Sequence, residues 1–434
     1  MTDSSTPAAA TLAFLKGKED AITRQTGAPL DWNAAASLVR GQLSEAMNAR
    51  HLSFLFGSGT SSLIRDSVEL GISTMAPLAT EFVTGISTED NPVLITANEL
   101  EELKTSLGLD VFADKYRSNL EKLMEVLHSY QFALRHSTLE SHKESLAVVD
   151  SVILKVKRFV LRKCTDGRFS GGDDTVRALY ESFYRKLIYR DRSQPRPWVF
   201  TTNYDLFNET AMDRMGLPYS NGFSGTVERR FNPAVFRYAL AEQLDVTSRK
   251  WAAVDGFVYL CKLHGSISWV EDNRGLFPIA EIQSPAAPQA GQMMIYPSPA
   301  KQNASFGSPY SDLFREFQIQ IVREQSVLFV LGYSFGDEHI NNIIYRALTV
   351  PTFRLVILSN PNAGGEVAKL RSLEDPRIWI IGGPGPDDKS KSHYFDTFVS
   401  RLMPEPPGER IDTAVQKVAD MLRAAKKEVG GEEE

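Results

Sequence analysis

The sequence predicts an α/β protein in which a mostly parallel sheet is covered by helices and carries a large helical insertion. Three observations predict it. Five apolar, β-rich runs, "HLSFLF" (51–56), "PWVF" (197–200), "FVYLCKLHGSISW" (257–269), "SVLFVLGYSFGDEHI" (326–340) and "RLVILSNPNAGG" (354–365), are hydrophobic on both faces and end in small or polar residues. Strands of that kind belong to parallel sheets with a helix layer on each side. "HLSFLF" runs into "GSGTSS" and then "LIRDSVELGI", the strand, glycine turn and helix that open a nucleotide-binding βα unit. Between residues 98 and 192 the patterns are helical, with almost no strand signal.

In chain order, residues 33–49, "NAAASLVRGQLSEAMNA", form a helix with Asn33 as its cap. The first core strand and its glycine turn follow. Residues 98–194 make the helical insertion, broken by the glycine-rich "TDGRFSGGDD" (165–174). The α/β rhythm resumes at 195 and runs to 385, so the sheet domain is discontinuous, 33–97 with 195–385. Inside it, residues 271–309 are rich in Pro, Gly and Ser and read as a long surface loop suited to a lid. The remainder, 386–434, holds an amphipathic helix over 408–428 and a frayed acidic tail.

The chain has 434 residues, 42% of them hydrophobic, enough for one large core or two ordinary ones. A net charge of -6 argues against a dedicated nucleic-acid coat. Residues 151–200 do hold twelve Lys/Arg against five Asp/Glu, a local net of +7. A solvated helix face or a subunit contact fits that excess better than a nucleic-acid surface does. Two distant cysteines, Cys164 and Cys261, exclude a four-cysteine zinc module and argue against a disulfide framework. With no basic leader and no run of roughly 18 apolar residues, the expectation is a cytoplasmic protein without a signal peptide or membrane span.

Ligands of open parallel sheets bind beyond the carboxyl ends of the strands. Four such ends here are polar: Gly57-Ser58-Gly59-Thr60-Ser61, Thr202-Asn203-Tyr204-Asp205, His264-Gly265-Ser266 and Gly332-Tyr333-Ser334-Phe335. One shared sheet would gather them around one crevice. Gly57 and Gly59 suit the close approach of a pyrophosphate, although a tight strand-to-helix turn accounts for them equally well. His264 sits at a strand end beside a glycine, and the other six histidines show no metal-binding spacing, so no metal is expected. For Asp337, capping the helix "EHINNIIYRAL" outranks a catalytic role.

Taken in order, "FGSGTSS", "FTTNYD", "LCKLHGSISW", "MIYPSPAKQ" and "LFVLGYSFGDEHI" resemble the sirtuin-like family over about residues 50–95 and 195–385. They look most like the bacterial branch found in antiphage defence. The resemblance implies a Rossmann-like fold with NAD as ligand and substrate, and Asn203 and His264 as the catalytic pair. It further implies that Gly57, Ser58, Gly59, Thr60 and Ser61 hold the pyrophosphate and close over the nicotinamide ribose. Thr202 and Asp205 would lie at the NAD site, Asp205 near the nicotinamide or its ribose. Gly332, Ser334 and Asn360 would meet the adenosine half.

Two departures bear on the activity. Protein-deacylating sirtuins follow the glycine loop with a Gly-Ile-Pro-Asp-Phe-Arg-type stretch, where this chain reads "SSLIRDSVEL". They also carry a four-cysteine zinc module, whereas residues 270–325 contain no cysteine. Hydrolysis of NAD to nicotinamide and ADP-ribose is therefore favoured over deacylation or ADP-ribosyl transfer; a non-catalytic sensor of NAD or ADP-ribose is the third reading. An NAD hydrolase must be silent until triggered, and the helical insertion and the C-terminal helix offer regulatory surfaces. The resemblance also implies a homo-oligomer that assembles with a HerA-type ATPase.

Overall fold

The computed structural model describes residues 12–406 apart from 29, 86–93, 192, 246, 248–249, 273, 275–277, 287–292, 296–308 and 388. The helix expected over 408–428, the acidic tail and most of the "IYPSPAKQ" stretch lie outside the described residues.

The protein is built on a nine-stranded, mostly parallel sheet flanked by helices. Its strands are β1 (Ala13–Lys16), β2 (Glu19–Asp20), β3 (His51–Phe56), β4 (Trp198–Thr201), β5 (Tyr219–Ser220), β6 (Val258–Lys262), β7 (Ser326–Leu331), β8 (Arg354–Leu358) and β9 (Ile378–Gly382). The spatial order is β2-β1-β9-β8-β7-β3-β4-β6-β5. From β9 to β5 all neighbours are parallel, and β1 and β2 close the far edge in antiparallel pairing. Neither of those edge strands was expected, because runs of four and two residues carry too little periodicity to register.

The principal helices are α1 (Trp32–Met47), α2 (Met75–Thr84), α3 (Ala97–Leu107), α4 (Leu120–Arg135), α5 (Ser141–Thr165), α6 (Thr175–Leu187), α7 (Phe207–Met215), α8 (Tyr310–Ile321), α9 (Glu338–Leu348) and α10 (Gly365–Ser372). Side chains alternate across a strand. Phe54, Phe56, Val199, Phe329 and Leu331 accordingly join one core with α1, α6 and α7, while Leu55, Phe200, Leu328, Val330 and Ile357 join the other with α8, α9 and α10. That two-sided burial is why the strands read as unbroken apolar runs. The cap of α1 is Asp31 rather than Asn33: its Oδ1 accepts from the Asn33 and Ala34 amides at 3.0 and 3.1 Å.

Helices α2 to α5 pack on a core of their own, with Ala79, Phe82, Leu103, Leu123, Leu127, Val152 and Phe159 at its centre. α6 instead buries Tyr180, Phe183 and Tyr184 in the sheet core. Much of the positive charge of residues 151–200 is committed to internal contacts. Lys155 pairs with Glu99 at 2.7 Å, Lys163 with Glu81 at 2.6 Å, and Arg190 donates to the carbonyls of Met47, Ala49 and Arg50 at the end of α1. No helix among the described residues is long and apolar enough to cross a membrane.

Three further expectations are corrected. The run 257–269 is two strands, not one: the chain leaves the main sheet at Leu263-His264 and enters a five-stranded antiparallel sheet through Gly265–Glu271. The same small sheet takes in Ile279–Glu281 and Met293–Ile295, so 271–309 is not simply a surface loop. In addition, "LIRDSVEL" forms a short hairpin, Ile64–Arg65 against Val68–Glu69, rather than a helix. Asp66 and Ser67 take φ of 47° and 64°, as in a primed hairpin turn, and the Glu69 carboxylate accepts from the Leu63 and Gly71 amides and the Ser62 hydroxyl.

Candidate active site

The chain runs from β3 to β4 to β6 across one half of the sheet and then returns to lay β7 on the other side of β3. The carboxyl ends of β3 and β7 therefore face each other at the point where strand order reverses, the position at which open α/β sheets bind ligands. Gly57 donates to the Leu331 carbonyl and Gly59 to the Gly332 carbonyl, each at 2.9 Å. Gly332 has φ of 62°, and a Cβ there would lie 2.5 Å from the Thr60 nitrogen. A Cβ on Gly57 would lie 2.5 Å from the Gly332 oxygen. Only glycine fits this crossing.

The amides of Gly57, Gly59, Thr60 and Ser61 all donate to carbonyls of the protein. Ser58–Thr60 form a single 3-10 turn, and a short hairpin rather than an α-helix follows it. The cradle of free amides that the sequence suggests is thus largely occupied by the fold itself, and of this loop Ser58 and Ser61 line the cleft.

Asn203, 6% exposed, stands just beyond β4. Its Nδ2 donates to the Gly57 carbonyl at 3.1 Å, Thr60 Oγ1 at 3.2 Å and Ser61 Oγ at 2.9 Å. A backbone carbonyl can only accept, so the amide nitrogen must face the loop, and Oδ1 is the end without a hydrogen bond among the described residues. Ser61 Oγ in turn donates to Asp205 Oδ2 at 2.7 Å, while Asp205 Oδ1 accepts from the Phe207 amide at the start of α7. The Tyr180 hydroxyl reaches Thr60 and Ser61 at 2.9 and 3.1 Å. The polar tip of β4 thereby clamps the glycine loop.

His264 is 3% exposed and occupies the corner between the two sheets. Gly265, with φ of 91°, lets the chain turn there. The ring is bonded at both nitrogens: Nε2 to Asp337 Oδ2 at 2.9 Å and Nδ1 to Glu121 Oε1 at 3.2 Å. Asp337 does cap α9, through Oδ1 and the His339 and Ile340 amides, and its second oxygen serves the histidine at the same time. Burial alone would lower the His264 pKa, but the Glu121 and Asp337 carboxylates outweigh it and push it up to about 9. A histidine whose pKa is raised by folding stabilises the fold fully below its unfolded value and loses that contribution as pH rises through the folded value. Urea unfolding should therefore show stability falling from pH 6.5 through about 9. In His264→Gln that slope should flatten.

Behind the site, Lys262 is buried at 1% exposure and donates to Glu209 Oε1 at 3.0 Å, Ser266 Oγ at 2.9 Å and the Tyr204 and Asp205 carbonyls. It pins the turn that carries Asn203 to the strand that carries His264.

These parts open on one cleft, a cavity of about 150 Å³ lined on the sheet side by Ser58, Ser61, Thr202, Asn203, Asp205, His264, Ser334 and Asp337. Gly57, Gly59, Thr60 and Gly332 lie beneath it as framework. Asn360 is not among the lining residues: it follows β8, two strands from β3, and its side chain accepts from the Asn362 amide. Sequence reasoning missed Glu121, Tyr180 and the Lys262–Glu209 pair. For Tyr180 a signal existed, since Tyr180 and Tyr184 stand four apart on a buried helix face and buried hydroxyls need partners; Tyr184 finds Asn208 Oδ1 at 2.7 Å.

A family model described as a SIR2-like domain matches residues 197–350, about a third of the chain. The span holds Asn203, His264, Ser334 and Asp337, but neither the glycine loop nor the helical layer. It supports a sirtuin-like relationship for this part of the protein. No curated protein matches the chain.

Proposed function

We propose that the cleft binds NAD and hydrolyses its nicotinamide–ribose bond, and that the chain is a regulated effector depleting NAD in antiphage defence. The observation that carries this reading is the meeting of Asn203 and His264 in one cleft, at the ends of adjacent strands β4 and β6 and within the SIR2-like match. In the reaction the bond from ribose C1′ to the pyridinium nitrogen breaks, and its electron pair passes into the ring. Nicotinamide leaves neutral, so no general acid is required, unlike a two-carboxylate glycosidase. A water oxygen closes on C1′ and gives up a proton.

Asn203 Oδ1 orients the water or a ribose hydroxyl, and His264, when neutral, accepts the proton. Thr202, Asp205, Ser58 and Ser61 hold the nicotinamide ribose, and Ser334 meets the rest of the dinucleotide in preference to Asn360. On the packing described above, the helical part is taken as α2 to α5, and the sheet domain as the rest, including β1 and β2 and with α6 in its core. A homo-oligomer with a HerA-type ATPase would supply the trigger.

Purified protein, alone and with the co-expressed ATPase, is incubated with NAD and nicotinamide release is followed by chromatography. Release without an acyl peptide is expected. Release only with an acyl peptide would establish a deacylase instead, and NAD binding with no release in either condition a sensor.

A further inference from the structure

We propose that Glu121 is a positioning residue that governs when His264 can act as a base, and that through it the helical layer sets the turnover rate. The inference rests on the NAD-hydrolase reading. A general base must present a lone pair. An imidazole held at both nitrogens by carboxylates carries two protons and has none to offer. The raised pKa of His264 agrees with that geometry.

The two carboxylates differ in how they are held. Asp337 is fixed, because its other oxygen caps α9 and α9 is buried in the sheet core. Glu121 lies in the first turn of α4, whose apolar face packs in the separate helical core. Its Oε1 also accepts from the Tyr204 hydroxyl at 2.9 Å, and its side chain is 29% exposed. Glu121 is thus the partner that can leave. With Nε2–H still donated to Asp337, a neutral imidazole would keep its orientation and turn the Nδ1 lone pair into the cleft, the logic of a His–Asp pair. A water or ribose hydroxyl would then donate where Glu121 now sits.

The cavity agrees. At about 150 Å³ it falls below the roughly 300–1,000 Å³ of sites that enclose a drug-sized ligand. Its outer wall is Leu120 and Met124 of α4 with Val156 and Val160 of α5. One displacement of this layer would both admit a dinucleotide and free Nδ1. Among the described residues, the other titratable groups on this cleft are Tyr204 and Asp205 after β4, Tyr333 after β7, and Lys163 and Cys164 of α5.

The test is Glu121→Gln in the full chain, with Glu121→Asp as a second variant that keeps the charge but shortens the reach. The His264 midpoint, read by NMR of labelled imidazoles, should fall well below that of the wild type. At pH 7 kcat should rise by about tenfold for each pH unit that the midpoint falls toward neutrality, and the acid limb of the pH profile should move with it. An unmoved midpoint, or a lower midpoint with a lower kcat, overturns the proposal. A lower midpoint with no nicotinamide release from either protein supports the Glu121–His264 coupling and sinks the hydrolase reading instead.

Discussion

Above about pH 9, where His264 is neutral, His264→Ala should lower nicotinamide release by about 10²–10⁴-fold, the usual worth of a positioned general base, while NAD still binds. Because the imidazole also bridges Glu121 and Asp337, His264→Gln is measured beside it as a variant that keeps a polar side chain there. Asn203→Ala should be as inactive for a different reason. Its Nδ2 ties together the Gly57 carbonyl, Thr60 and Ser61, so its loss should weaken NAD binding as well as turnover. Asn203→Asp separates the two roles: it preserves an oxygen toward the cleft but sets a second one against the Gly57 carbonyl. Binding by calorimetry beside turnover by chromatography distinguishes the cases. Full activity in His264→Ala would leave the proposed chemistry without its base.

The sheet was legible because its signal is local and repeated. Phe54, Leu55 and Phe56 point alternately into two cores, and a short run that is apolar at every position fits little besides a strand buried on both faces. Asn203 and His264 were legible because polar residues at the end of such a run need a reason. Glu121 was not. An acid in the first turn of a helix is already accounted for by the helix dipole, and its contact with His264 spans 143 residues. Asn360 shows a different limit: it stands at a strand tip on the same edge, but strand order, which the sequence does not carry, sets it two strands from β3 and off the lining of the present cavity. The helix expected after the glycine loop was lost to Glu69, whose carboxylate organises the segment from seven residues away.

Lys262→Met should cost about 3–5 kcal/mol of stability at neutral pH, the range for a buried pair broken on one side. Glu209 is 7% exposed, and among the described residues its Oε2 has no hydrogen-bond partner, so Lys262 is what makes its charge tolerable. Burial already raises the Glu209 pKa, against the pull of Lys262. Without the lysine it should rise further. A carboxyl whose folded pKa is raised imposes no penalty below its unfolded pKa, roughly 4.3, and a growing one as pH rises toward the folded value. The deficit of Lys262→Met relative to wild type should therefore shrink as pH falls toward roughly 4.3. A second change, Glu209→Leu, should recover a large part of it at neutral pH, since removing both charges from an apolar site is far milder than removing one. Nicotinamide release should not recover with it, because the Tyr204 and Asp205 carbonyls would still lack the donor that sets the Asn203 turn. Urea unfolding of the three variants at several pH values measures the first effect and chromatography the second. A deficit independent of pH and untouched by Glu209→Leu would place the worth of Lys262 in those carbonyl contacts alone.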